Sequence, residues 1–201
     1  MSSQLPERTG PSEVPPLVAA ARAGDRESQG KLFREHARLV EWSLRRMVGP
    51  SPDLEDLIQE VFVEAMRGLP AYRGDAKFST WLQRIAVHVA CRWLRAPRRR
   101  HPMLSLVDVD PPQETRVPEE VDAREASRRL QALLDRLTPV KRVALLLHVA
   151  LGHSTREIAA LMGTTHTAAK ARVWFARREI EKMAREDAVL GRWLNESDEV
   201  P

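Results

Sequence analysis

The sequence lacks features that several classes of protein require. Among its 201 residues there is a single cysteine, Cys91, which excludes an internal disulfide framework and fits a reducing cytosol. No apolar run approaches the roughly 18 residues needed to cross a bilayer. The N-terminal stretch MSSQLPERTGPSEVPP has no apolar segment typical of a secretion signal. We therefore expect a cytoplasmic protein with no membrane insertion.

Strand-forming patterns are also missing. Aromatic residues make up 5% of the chain, there are nine glycines, and no segment shows a convincing strand alternation. Apolar residues instead recur at helical spacing, and a hydrophobic fraction of 43% is enough for a core. The formal net charge is only +4, so the placement of charge matters more than its sum. An all-α fold is predicted.

A proline-rich acidic stretch divides the chain into two helical blocks. HPMLSLVDVDPPQETRVPEE has prolines at positions 102, 111, 112 and 118, and proline blocks helix continuation. We interpret it as a flexible linker between two small helical domains. The predicted parts are a disordered tail (1–13), a first domain (14–100), the linker (101–120), a second domain (121–187) and a polar C-terminal tail (188–201).

The first block contains a helix with a sustained apolar face and an acidic outer face. Gly24 and Asp25 separate two earlier helices, about Leu17–Ala23 and Arg26–Val48. After GPSPD, Ser51 or Asp53 can cap the next helix, with Pro52 in its first turn. Its predicted core face comprises Leu54, Leu57, Ile58, Val61, Phe62, Ala65, Met66 and Leu69. Its outer face carries Glu55, Asp56, Gln59, Glu60 and Glu64, for solubility or for docking a basic partner.

The stretch FSTWLQRIAVHVACRWLRAPRRR, residues 78–100, combines aromatics with arginines. Helical spacing places Phe78, Trp81, Leu82, Ile85, Val89 and Trp93 on a core face. A second stripe contains Arg84, His88, Cys91, Arg92 and Arg95 and leads to Arg98, Arg99, Arg100 and His101. No acid lies between Lys77 and Leu106, so helical i, i+4 ion pairs are absent. Aromatic rings beside arginines suit the stacking of unpaired bases, which favours a nucleic-acid surface over a merely solvated face.

The second block has the helix-capping and turn residues of a helix-turn-helix. A leucine-rich helix is predicted at about Pro139–Val149. Ser154 and Glu157 form a capping box for a short helix, Gly163 makes the turn, and a longer helix starts at about His166. That helix is predicted to bury Ala169, Val173, Ala176 and Ile180 and to expose Lys170, Trp174, Arg177 and Arg178. This basic face favours a DNA major groove over a protein-binding hairpin.

Together the two blocks resemble the extracytoplasmic-function (ECF) group of bacterial sigma-70 factors. The resemblance rests on AGDRESQGKLFREHARLV, DLEDLIQEVFVEAMRGL, YRGDAKFSTWLQRIAVHVACRWLR, LLDRLTPVKRVALLL and GHSTREIAALMGTTHTAAKARVWFARREI. It covers about Leu17–Ala184 except the linker. It implies an initiation factor that joins core RNA polymerase and opens promoter DNA, and it assigns sigma domain two to the first block and sigma domain four to the second.

The resemblance also implies site residues. Asp56, Gln59 and Glu60 would bind core polymerase. The minus-ten element would be bound by Lys77, Phe78, Ser79, Trp81, Arg84, His88, Arg92 and Arg95. The minus-thirty-five element would be bound by His148, Lys170, Ala171, Trp174, Arg177 and Arg178.

Three positions depart from the family pattern. His88 stands where an asparagine is common, His148 where an arginine often touches phosphate, and Thr167-Ala168-Ala169 where Gly-Thr-Val is usual. We expect a divergent promoter and an unchanged function. The implied partners are core RNA polymerase, promoter DNA and an anti-sigma factor, and no homo-oligomer is expected. The linker would let both domains engage DNA together, and it also permits a compact, inhibited state.

Two other readings of the residues remain open. A helix-turn-helix repressor or activator would share the second block, but it needs neither the acidic helix nor the aromatic-basic helix of the first. An enzyme would need a site that the sequence does not show. The pairs His88/Cys91 and His148/His153 do not make a full zinc ligand set, and no nucleophile elbow or phosphate loop occurs. We therefore expect no metal, no cofactor and no enzymatic activity.

Overall fold

The computed structural model describes residues 14–96 and 118–192, with side chains for all of these except 118–123. Every regular element in these ranges is helical, which confirms the predicted all-α class. The predicted N-terminal tail, the cluster Arg98–His101, most of the linker and most of the C-terminal tail lie outside the described residues. Within the described residues, no helix is both long and apolar enough to span a membrane.

The described part of the first block, residues 14–96, contains four α-helices: α1 (Pro16–Arg22), α2 (Arg26–Val48), α3 (Leu54–Gly68) and α4 (Phe78–Arg95), with a 3-10 turn at Leu69–Ala71. The predicted break between α1 and α2 is confirmed. Gly24 adopts φ of 96°, a region that favours glycine. The Asp25 carboxylate accepts a hydrogen bond from the Ser28 backbone N–H at 3.0 Å, which caps α2.

Helix α3 buries the face that its spacing predicted. Leu54, Leu57, Val61, Phe62, Ala65 and Leu69 are buried, and Ile58 and Met66 pack against the same core. Its N-terminus differs from the expectation. Asp53 occupies the cap position without capping through its side chain, because its carboxylate instead accepts a hydrogen bond from Trp93 Nε1 at 3.0 Å. The start of α3 is thereby tied to the end of α4.

The second block contains α5 (Pro118–Arg136), α6 (Pro139–Val149), α7 (Thr155–Leu161) and α8 (His166–Glu186). Helix α5 begins three residues before the predicted start of this domain. The predicted capping box is present, since Ser154 and Glu157 bond each other's backbone N–H. Gly163 has φ of 59° and turns the chain from α7 into α8. The helix-turn-helix is therefore formed as the capping box and the turn glycine predicted.

The two domains are packed against each other. Helices α2 and α4 contact α6, and α4 also contacts α7. A single buried cluster continues from the first domain into Val143, Leu147 and Ile158 of the second. We call this arrangement the closed conformation. The sequence left the placement of the domains open, because the contacts between them join distant segments.

Candidate nucleic-acid interface

Three aromatic rings cluster where the loop before α4 meets that helix. The ring centroids of Tyr72 and Phe78 lie 5.8 Å apart, those of Phe78 and Trp81 5.4 Å, and those of Tyr72 and Trp81 5.2 Å. Tyr72 also donates a hydrogen bond from its hydroxyl to the Ala76 carbonyl at 2.6 Å, which holds the loop in shape. Phe78 is buried and Trp81 half-buried. Phe78 therefore supports the site, and Trp81 is the ring at its surface.

An open cavity of about 360 Å³ lies beside this cluster. Tyr72, Arg73 and Asp75 line it from the loop, and Trp81 and Arg84 line it from α4. Ala160 and Leu161 of α7 contribute the opposite wall. The cavity thus combines aromatic, cationic and anionic groups at the boundary between the two domains.

The basic stripe of α4 is divided among three surroundings. Arg84 Nε donates a hydrogen bond to the Ala160 carbonyl at 3.0 Å. On the other flank, Arg92 Nη2 lies 2.8 Å from Glu60 Oε1 and 2.6 Å from Glu64 Oε1. Cys91 is buried. The α4 segment contains no acid of its own, and the carboxylates that pair with Arg92 come from α3.

His88 lies on the exposed part of this stripe. Loss of hydration lowers the pKa of its imidazole, and the neighbouring charge of Arg84 lowers that pKa further, whereas Glu64 opposes the shift. The neutral ring is therefore the main form at neutral pH. Of the other predicted minus-ten residues, Lys77 and Arg95 are exposed and Ser79 is half-buried.

The predicted polymerase-binding residues lie on the outer face of α3. Asp56 and Gln59 are exposed, as is Glu60 despite its ion pair with Arg92. Two apolar side chains on the adjoining surface were not predicted as site residues. Val63 of α3 is exposed, and so is Phe33 of α2, whose ring centroid lies 4.2 Å from that of Phe62. The spacing of α3 already leaves Val63 off the buried face, whereas the exposure of Phe33 depends on how α2 crosses α3.

Helix α8 presents the predicted basic face to solvent. Lys170, Trp174, Arg177 and Arg178 are all exposed and Ala171 is half-buried. The Arg178 guanidinium lies over the Trp174 ring, 5.3 Å from its centroid. Phe175, overlooked in the sequence, is 54% exposed and packs edge-on against Trp174 with centroids 4.8 Å apart. Its position directly after the outward-facing Trp174 was the one indication in the sequence that Phe175 could be exposed.

The helix-turn-helix is held together by local polar contacts. Thr165 caps α8 by accepting a hydrogen bond from the Ala168 backbone N–H at 3.2 Å. His148, at the end of α6, is exposed, and its Nδ1 lies 2.9 Å from the His153 carbonyl. The described residues contain no group of His, Cys, Asp and Glu side chains arranged to hold a metal ion.

Comparisons with known proteins match both domains. The family Sigma-70 region 2 matches residues 32–100, and the family Sigma-70, region 4 matches residues 127–180. The chain is 31% identical over 190 residues to the ECF RNA polymerase sigma-E factor of Escherichia coli K12, covering 90% of this chain and 95% of that protein. It is 32% identical over 167 residues to the ECF RNA polymerase sigma factor SigM of Mycobacterium tuberculosis H37Rv, covering 83% and 82%.

One solved structure supports the fold. The structure of CnrH in complex with the cytosolic domain of CnrY aligns with a TM-score of 0.60 at 24% sequence identity. The alignment covers 86% of this chain and 97% of that one. At this identity the likeness concerns the fold alone.

Proposed function

This chain belongs to the ECF group of the bacterial sigma-70 family and directs promoter-specific transcription initiation, and we propose that the cavity beside α4 captures an unpaired base of the minus-ten element. The observation that carries the proposal is the grouping of Tyr72, Trp81 and Arg84 around that cavity. Aromatic faces and an arginine suit base stacking. Extruding a base costs a few kcal/mol, which such a pocket must offset.

The rest of α4 would hold the neighbouring DNA strand. His88 and Arg95 are exposed on this helix, Lys77 is exposed directly before it, and Ser79 is half-buried. We assign these residues contacts to phosphates or base edges. Arg92 would exchange its two carboxylates for a phosphate on binding. Phe78 acts indirectly, by supporting Trp81.

Helix α8 would read the minus-thirty-five element in the major groove. Lys170 and Arg178 can donate to guanine edges or phosphates, and Ala171 and Trp174 can make apolar base contacts. Arg177 is ion-paired with Glu181 at 3.0 Å and suits a phosphate contact. His148, exposed at the end of α6, would lie against the DNA backbone.

The two sigma domains imply binding to RNA polymerase and promoter DNA. We assign polymerase docking to Asp56, Gln59 and Glu60, supported by their exposure and by the apolar side chains of Phe33 and Val63 beside them. We further infer that the chain acts by binding and not by catalysis, in the cytoplasm where polymerase works. From the family resemblance we also infer that an anti-sigma partner covers these surfaces. The domain boundaries 14–100 and 121–187 belong to the same proposal.

Run-off transcription tests the proposed function. Core RNA polymerase would be mixed with the full chain and fragmented genomic DNA, and the transcript starts would be sequenced. We expect discrete starts that require the chain and share two spaced upstream elements. An absence of starts together with no binding to core polymerase would contradict the proposal and favour a helix-turn-helix regulator.

A further inference from the structure

Arg142 of α6 is a buried cation that reaches from the second domain into the first. It is 2% exposed. Its Nε donates a hydrogen bond to the Met47 carbonyl at 3.1 Å, and its Nη2 donates to the Val48 carbonyl at 2.9 Å. Its Nη1 pairs with the carboxylate of Asp135 at the end of α5. One side chain therefore joins α2, α5 and α6.

The receiving group is the C-terminus of α2. Met47 and Val48 are the last two residues of this helix. Their carbonyls therefore have no backbone N–H of the same helix to accept a hydrogen bond from. The C-terminal end of a helix also carries a partial negative charge that favours a cation. Arg142 thus caps a helix of the other domain, and two of the hydrogen-bond acceptors that its buried guanidinium needs come from that domain.

The same packing covers one face of α4. Thr80, Arg84, Val87, Cys91 and Leu94 follow each other at three- and four-residue intervals and therefore share a face. Arg84 bonds the Ala160 carbonyl of α7. Leu94 shares a small cavity with Leu137, Pro139 and Arg142. Val87 and Cys91 lie between these contacts and are buried, so the second domain covers this face.

We propose that Arg142 is an interdomain latch that holds the chain in the closed conformation, and that the latch must release before the promoter is bound. The cavity assigned to the captured base has α7 as a wall, and Arg84 is already engaged there. Promoter DNA would have to displace α7 to reach the whole face. The second half of this inference rests on the proposed function, whereas the latch itself does not.

The position of Cys91 allows opening to be measured directly. It is the chain's single cysteine, is 6% exposed, and lies on the covered face of α4. Opening would expose its thiol to a reagent such as 5,5′-dithiobis(2-nitrobenzoate). The labelling rate of the full-length chain therefore reports how often the domains separate.

The test compares Arg142→Met with Arg136→Met, an exposed arginine of α5. We expect Arg142→Met to label Cys91 at least tenfold faster than wild type, with unchanged helical circular dichroism, and Arg136→Met to label as wild type does. Equal rates in all three proteins would overturn the latch.

A second variant controls for the case in which Arg142→Met misfolds the second domain. Leu94→Glu places a charge opposite Leu137 and Pro139 from the side of the first domain, leaving the second domain unaltered. It should also speed labelling at least tenfold. If Arg142→Met loses helix content and Leu94→Glu labels at the wild-type rate, the closed conformation does not govern access to Cys91 and the inference is wrong.

The link to promoter binding is tested separately on forked DNA carrying the elements found by start-site sequencing. Without polymerase, Arg142→Met should bind this DNA at least tenfold more tightly than wild type does. Faster labelling with unchanged affinity would retain the latch and reject its role in blocking DNA. Failure to find any start would sink the proposed function, while the labelling result would stand unaffected.

Discussion

At the scale of single residues, the stacked pair of Arg178 and Trp174 is the best-defined feature of the exposed α8 face. The guanidinium lies over the indole ring, which restricts its conformations, and both side chains are exposed. An arginine held in this way loses less side-chain entropy when it forms a bidentate bond to guanine.

We predict that Arg178→Ala weakens binding to duplex DNA carrying the minus-thirty-five element about fivefold or more, corresponding to ~1–3 kcal/mol for a good base contact. Lys182→Ala, one turn further along α8, removes the same charge and should have a smaller effect. Fluorescence anisotropy at several salt concentrations would measure both. Equal losses in the two variants would mean that only net charge matters.

His88 makes stability depend on pH in a definite direction. Partial loss of hydration and the charge of Arg84 lower its pKa in the fold, below the reference value of about 6.5 expected when unfolded. Since the unfolded chain then binds the proton more readily, the stability that neutral His88 contributes is present above about pH 6.5 and is lost on acidification. The charges facing it are Glu64 of α3 and Arg84, Arg92 and Arg95 of its own helix.

We therefore expect the free energy of unfolding of wild type, relative to His88→Asn, to fall between pH 7.5 and pH 5.5. Urea titrations at each pH would give this difference, and an NMR titration of the His88 ring should show a pKa below 6.5. A difference that stays flat or rises on acidification would contradict the assignment.

At the scale of elements, α3 carries two kinds of acid. Glu60 and Glu64 face α4 and pair with Arg92, whereas Asp56 lies one turn earlier and is exposed. Surface ion pairs contribute about 0–1 kcal/mol each, so the Arg92 pairs position α4 more than they stabilise it. Asp56 is consequently the cleaner probe of docking, because changing it leaves those pairs intact.

We predict that Asp56→Arg abolishes association with core RNA polymerase while leaving the fold and duplex binding unchanged, since a reversed charge would repel a basic partner surface. Glu27→Arg, an exposed acid in the first turn of α2, is the matched control. Pull-down with purified core enzyme would separate them. Normal retention of the Asp56 variant would refute the docking assignment.

At the scale of the whole molecule, the closed conformation depends on the close approach of Gly49 to Gln131 as well as on the contacts of the Arg142 guanidinium. Gly49, directly after α2, has φ of 80°, and a Cβ there would lie 3.0 Å from Oε1 of Gln131 in α5. Gly24 has φ of 96° but no atom within 4 Å of such a Cβ. The two glycines share a backbone requirement, and only Gly49 is also crowded by the other domain.

Alanine at either glycine should cost about 1–3 kcal/mol of unfolding free energy, because a positive φ strains a residue that carries a Cβ. Gly49→Ala should cost more than Gly24→Ala and should also speed the labelling of Cys91, because Gln131 must move away. Gly24→Ala should leave the labelling rate at the wild-type value. Identical behaviour of the two variants would show that the Gly49–Gln131 contact contributes nothing to closure.

The sequence by itself determined the helices, their apolar faces and the helix-turn-helix. The face of α3, the Ser154–Glu157 capping box and the Gly163 turn were predictable because each depends on residues three or four apart or on the local backbone. The exposed residues of α8 followed from the same periodicity.

Only the tertiary structure decided which charges meet and which faces are covered. Arg92 finds Glu60 and Glu64 from another helix, and Arg142 finds carbonyls about 95 residues away in the chain. Cys91 shares the basic stripe of α4 by its spacing, and the packing of the helices buries it. Periodicity assigns a residue to a face of its own helix, whereas the packing of distant segments determines what that face contacts.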